Sequence, residues 1–175
     1  MEDWKKFKNF KQRGEWVELQ FMAQASERRF AISKPWGDNG AYDVGIEHGA
    51  NFLRVQVKST TCRLGRGYWC QFKPHYGKKQ DYSLEQLDLF AAYVIPVRVW
   101  YLIPAIELLG GKRKEGAMLY PVDLPLRKRN GFKYECYQES WELLTKTRRE
   151  LVRDRRQNSL LGLRSSVGHR DPSTA

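Results

Sequence analysis

A chain of 175 residues, 41% hydrophobic and 13% aromatic, can bury one core, and its length calls for no second one. Its 31 Lys and Arg against 20 Asp and Glu leave a formal charge of +11, which points to a polyanionic partner held with salt-dependent affinity. No run of roughly 18 apolar residues is present to span a bilayer, and Met1 to Lys11 lacks the apolar centre of a signal peptide, so a soluble, cytoplasmic protein with no membrane segment is expected.

From Gly14 to about Arg29 the chain carries Glu, Gln, Ala, Leu and Met with no proline and no internal glycine, which predicts an amphipathic helix. At about 100° per residue, Val17, Phe21, Met22 and Ala25 gather on one side, and Glu18 falls among them. A carboxylate in an apolar stripe needs a partner, so Glu18 stands out, while Glu15 lies at the edge of the stripe. Phe30 to Ser33 reads as a short strand, closed by the turn residues Pro35 to Gly40. Ala41 to Glu47 and Phe52 to Lys58 then alternate, and the link His48-Gly49-Ala50-Asn51 is short enough for an antiparallel hairpin.

With the turn centred between Gly49 and Ala50, Val44 faces Val55, Ile46 faces Leu53 and Tyr42 faces Val57. The same register sets Asp43 opposite Gln56, with Lys58 one step further along that polar face. A slip of one residue would bury the polar set, so the apolar pattern itself selects this pairing.

Further on, Gly67 to Phe72 reads as a strand and Ser83 to Asp88 as a short capped helix. Leu89 to Ile95 and Val99 to Ile103 read as strands parted by Pro96-Val97-Arg98, and Pro104 to Leu109 as a helix ended by Gly110 and Gly111. Glu139 to Arg156 predicts a final amphipathic helix giving Trp141, Leu144, Leu151 and Val152 to the core. Arg164 to Ala175 has little to bury. The organisation expected is a basic segment over 1–12, one domain over 13–158 and a disordered tail over 159–175.

Three cysteines, Cys62, Cys70 and Cys136, form no CxxC pair, so with His75 they read as buried or free thiols and not as a zinc site. Trp36, Tyr68 and Trp69 are candidates for stacking on unpaired bases, with core or loop packing as the plainer role.

Phosphodiester hydrolysis needs charge neutralisation on the phosphoryl oxygens, an activated water and stabilisation of the leaving oxygen. Mg²⁺ suits this, taking one or two carboxylates with water and substrate phosphate, and Mn²⁺ is expected to substitute. Asp43 is a fitting ligand, Gln56 offers an amide oxygen beside it, Glu18 adds a second carboxylate if the first helix packs across the sheet, and Lys58 can orient the water or offset developing charge. Ser59, next to the lysine, and Glu15 are accessory candidates.

The order Arg13-Gly14-xxx-Glu18, Tyr42-Asp43 and Gln56-Val57-Lys58-Ser59 resembles the PD-(D/E)XK nuclease superfamily over roughly residues 13 to 104. The helical glutamate after a basic-glycine pair is similar to archaeal Holliday junction resolvases. The Gln-x-Lys form, with Asp88-Leu-Phe-Ala-Ala-Tyr-Val and Trp100-Tyr-Leu-Ile-Pro104, is similar to bacterial group I intron homing endonucleases. The resemblance implies a single α/β domain of the restriction-endonuclease-like kind, a mixed sheet flanked by helices. It also implies a metal-dependent endonuclease acting on DNA, with Glu18, Asp43 and Gln56 around the metal. Enzymes that cut both strands often work as dimers, so a homodimer is expected by analogy.

Two positions depart from that pattern. Tyr42 stands where the superfamily has proline, and Gln56 stands where it has Asp or Glu. The neutral amide removes one negative charge from the site. That loss keeps open a rival reading, a non-catalytic nucleic-acid-binding protein that retains the fold. A basic surface meeting acidic proteins is a second rival.

Overall fold

The computed structural model describes residues 7, 9–37, 40–74, 81–110, 115–121 and 132–154. Helix α1 (Phe10–Glu27) begins ahead of Gly14, because Asn9, extended at φ −147°, accepts the Gln12 N–H at 2.8 Å and caps the first turn. The strands are β1 (Ala31–Ser33), β2 (Val44–His48), β3 (Asn51–Thr60), β4 (Arg63–Leu64), β5 (Gly67–Gln71), β6 (Leu89–Val94), β7 (Val99–Pro104) and β8 (Gly116–Leu119). A short helix α2 (Ala105–Leu109) follows β7 and ends at Gly110. Among the described residues no helix is long and apolar enough to cross a membrane.

The main sheet has the order β1-β2-β3-β6-β7 and is mixed: β3 and β6 run parallel and the other neighbours antiparallel. Between β3 and β6 the chain leaves to build β4 and β5, which are joined by β8, formed after α2, into a second, three-stranded sheet, β4-β5-β8. The parallel pair requires such a crossover. Strand β6 is buried along its whole length, as a strand covered on both faces must be.

The α1 stripe Val17, Phe21 and Ala25 is fully buried. Phe21 lies 5.5 Å from Trp100 and 5.7 Å from Trp141, and Trp100 stacks on Tyr93 at 4.4 Å. Deleting the Phe21 ring would cost about 3–5 kcal/mol. Tyr93 pairs with both Trp100 and Ser59, so α1 covers the face of the sheet that also carries Val55 and Val57. Gln56 and Lys58 pair with Phe90 and Ala92 on the opposite face.

Several expectations are corrected. Ser83 to Asp88 forms no helix: the Ser83 carbonyl accepts the Gln86 and Leu87 N–H groups in a turn, and the Asp88 N–H is drawn to the Arg54 carbonyl at 3.0 Å. The final helix is broken in two. Trp141–Thr145 is a 3₁₀ turn, and a new helix spans 148–154, opened by a reciprocal cap between Thr147 and Glu150 (2.7 and 3.2 Å). The break lies at Lys146, where the backbone is extended. Trp141, Leu144 and Leu151 still reach the core, while Val152 is only partly buried. Strand β8 had no counterpart in the sequence reading. The tail over 159–175 lies outside the described residues, as does His75.

Candidate active site

The hairpin forms in the register that the apolar pattern selects: Val44 opposite Val55, Ile46 opposite Leu53 and His48 opposite Asn51. Gly49 takes the turn at φ 59°, where a glycine is unstrained. The ladder stops at Val44, so the expected Tyr42–Val57 pair is not made. Instead Val55 opposes two residues, Val44 in the ladder and Asp43, whose N–H donates to the Val55 carbonyl at 2.9 Å. This two-against-one step is that of a β-bulge, and it frees the Asp43 carboxylate from the strand alternation. Its Oδ2 accepts the Val57 N–H at 2.8 Å and the Gln56 amide Nε2–H in a short contact. Asp43 and Gln56 therefore meet as expected, but through the bulge and their side chains, not as the directly opposed pair that the register predicts.

Glu18 arrives from the other face. Asp43, just ahead of the first ladder residue of β2, is where α1 and the Gln56–Lys58 face come together. The negative charge of Glu18 acts on Asp43, and burial acts in the same direction more strongly; together they push the Asp43 carboxyl up to about 6 against the pull of Val57, Lys58 and Gln56. Lys34, at the end of β1, donates to Glu18 Oε2 at 2.7 Å, and this contact raises its pKa. Lys58 Nζ donates to the Tyr82 hydroxyl at 2.9 Å and lies 5.1 Å from that ring. The Tyr82 ring packs edge-on to Phe90 at 5.6 Å, and burial and the Asp43 charge raise its phenol pKa, so it stays neutral.

The PD-(D/E)XK endonuclease family profile matches residues 8–117, well over half of the chain. The chain belongs to the PD-(D/E)XK endonuclease family. Among solved structures, the bacterial homing endonuclease I-Ssp6803I is similar in fold, with a TM-score of 0.65 and 22% identity over 78% of this chain and 93% of that one. Both agree with the α/β restriction-endonuclease-like fold. No curated protein sequence matches the chain significantly.

A PD-(D/E)XK site is built to hold a divalent cation, and the donors here suit one. Two carboxylates, Glu18 and Asp43, and one amide offer oxygen alone, as a hard cation requires, and Asp43 sits partly buried beside a like charge that a cation would relieve. Among the described residues no three His, Cys, Asp or Glu side chains gather as a metal cluster, which fits the exchange of a carboxylate for Gln56. With Nε2 donating to Asp43, the Gln56 carbonyl oxygen is the atom left for a ligand role.

Of the accessory candidates, Ser59 is not brought in and Glu15 reaches the site only through its charge on Lys34. Ser59 falls on the α1 face, paired with Tyr93, away from Lys58. Glu15 is exposed and ion-paired with Lys11 at 3.9 Å. Cys70 is buried, its thiol pushed up to about 12 by burial, and is no nucleophile. Conversely, the sequence reading missed Lys34 and Tyr82. Lys34 had a weak signal, the only cation in the turn-rich stretch ahead of Asp43. Tyr82 had none, because its contact with Lys58 spans 24 residues.

Proposed function

We propose that this PD-(D/E)XK endonuclease hydrolyses DNA phosphodiester bonds at the Glu18–Asp43–Gln56–Lys58 cluster, with Mg²⁺ as its metal and Mn²⁺ able to substitute. The observation that carries this reading is the convergence on Asp43: an amide and an N–H at contact distance, and opposite charges from Glu18 and Lys58 acting on one partly buried carboxylate. Glu18, Asp43 and the Gln56 carbonyl would hold the metal, which when bound neutralises phosphoryl charge and acidifies water.

The chain's own groups do the rest. Glu18 acts on Asp43 from α1, and Gln56 fixes the Asp43 carboxylate. The Lys58 ammonium, steadied by Tyr82, offsets negative charge as a water oxygen bonds to phosphorus and the bridging P–O bond breaks. The leaving oxygen takes up a proton, giving a hydroxyl end and a phosphomonoester end.

The test is nicking of supercoiled DNA in Mn²⁺ by wild type, Asp43→Ala and Lys58→Ala. Lys58→Ala is expected to lose about 10²–10³-fold, and Asp43→Ala more, with DNA binding retained in both. Nicking by Asp43→Ala at the wild-type rate would refute the assignment. Gln56 supports one other reading, a DNA binder that does not cut. Titration with Mg²⁺ or Mn²⁺ separates the two, since a pure binder takes no metal and holds DNA equally well with chelator present.

A further inference from the structure

The chain buries Trp100 and Trp141 completely or nearly so, yet holds Trp36 at a relative exposure of 103%. An indole carries roughly 150–250 Å² of largely apolar surface, so leaving it in water forgoes a large stabilisation. It sits in a stretch of turn residues. Pro35 fixes the dihedral before it, and Gly37, at φ 77°, takes a conformation open to glycine after it. A Cβ on Gly40 would lie 3.5 Å from the Pro35 ring, so Gly40 and Pro35 lie side by side while Trp36 is fully exposed.

Both feet of this stretch belong to the candidate active site. Lys34 holds Glu18 at 2.7 Å, and Asp43 carries the central carboxylate. Trp36 is two residues from Lys34, so their Cα atoms are within about 8 Å. A strand with a phosphate over Asp43 would carry its bases, at roughly 3.4 Å per step, past the stretch that joins Lys34 to Asp43. The partly exposed Lys34 ammonium adds the charge that a backbone needs. Bases in an intact duplex are stacked on each other and offer no free face to a side chain.

We propose that Trp36 stacks on an unpaired base next to the scissile phosphate, so that the enzyme favours DNA with a base out of the helix. This rests on the nuclease reading above. It can fail while that reading stands.

The experiment compares an intact duplex with the same duplex carrying a single-base bulge, by fluorescence anisotropy in EDTA at several salt concentrations. Because Trp36 is exposed, Trp36→Ala should melt with the wild type. It is expected to bind the bulged duplex about tenfold more weakly and the intact one within about twofold. Trp36→Phe should recover most of the loss, and the salt slope should not change, because no charge is removed. Lys34→Ala should lower that slope by about one on both substrates. Equal affinity of Trp36→Ala and wild type for the bulged duplex overturns the proposal, as does an equal loss on both substrates. A change in molecular mass by light scattering, with DNA affinity intact, would assign the indole to contact between copies and likewise overturn it. Failure of the wild type to bind either duplex would bring down the nuclease reading as well.

Discussion

Asp43 and Asp88 both lie against β3, at opposite sides of it, and they satisfy their charge in different ways. Asp88, with 2% of its side chain exposed, is gripped by cations: Arg54 Nε at 3.0 Å and Nη2 at 3.2 Å, Arg148 Nε at 3.4 Å, and the Arg54 N–H at 2.9 Å. Its own carbonyl accepts the Ala105 N–H at 2.9 Å. This acid ties β3, β6, α2 and the 148–154 helix together. Asp43 is held by neutral donors, the Gln56 amide and the Val57 N–H, and it faces the like charge of Glu18. A buried acid supplied with guanidinium groups is structural, whereas one left partly exposed and under repulsion is suited to take a cation from outside.

The largest effect that tests this contrast is on stability. Asp88→Asn would leave Arg54 and Arg148 without their carboxylate, and breaking such a buried pair costs about 3–5 kcal/mol, lowering Tm on the order of 10 °C. Circular dichroism melting checks it. A melting point near wild type would mean that Asp88 is no clasp.

Asp43→Asn should move the other way. The folded chain holds the Asp43 proton more tightly than the unfolded one, so this group favours folding fully below about pH 3.8, and that contribution is lost as pH rises through about 6. At about pH 7.5 the wild type carries an ionised Asp43 that the Asn variant lacks. A shift from 3.8 to about 6 corresponds to about 3 kcal/mol. The variant should therefore melt higher than wild type at about pH 7.5, with the difference closing toward pH 3.8. Mn²⁺ should raise the melting point of the wild type and not that of the variant. A variant less stable than wild type at neutral pH would show that Asp43 is not under strain.

The difference between the two acids also marks what the sequence could show. Asp43 was legible because apolar alternation over Val44–Ile46 and Leu53–Val57 permits one register, which brings Asp43 to the end of the ladder beside Gln56, while the bulge that completes the contact left no sequence signal. Asp88 was not, since its partners lie 34 and 60 residues away and no local period records them. The second sheet was hidden likewise: β5 pairs with β8 across a long excursion, and Gly116–Leu119 is too short to declare a strand. The caps Asn9-x-x-Gln12 and Thr147-x-x-Glu150 were present as local signals, and they set the true start of α1 and the break in the final helix.

Smaller again is Tyr82→Phe. It keeps the ring against Lys58 and Phe90 and removes the hydroxyl that accepts from Lys58. A hydrogen bond to a charged group is worth about 1.5–3 kcal/mol, so kcat should fall about tenfold with KM nearly unchanged and melting little affected. An unaltered kcat would mean that Lys58 is positioned by other contacts.

The smallest effect separates two glutamates one turn apart on α1. The Glu18 side chain is 21% exposed, bonded to Lys34, and its charge reaches Asp43; that of Glu15 is 57% exposed with Lys11 at 3.9 Å across one turn. An exposed pair of that kind contributes little, because water screens it and both side chains lose freedom. Glu15→Ala should therefore nick DNA within about twofold of wild type and melt with it. Glu18→Ala should lose nicking and also return the Asp43 carboxyl toward its ordinary range, since the repulsion is gone. If Glu15→Ala lost as much activity as Glu18→Ala, the helix would be acting through its whole acidic edge, and Glu18 would not be the single carboxylate that α1 brings to Asp43.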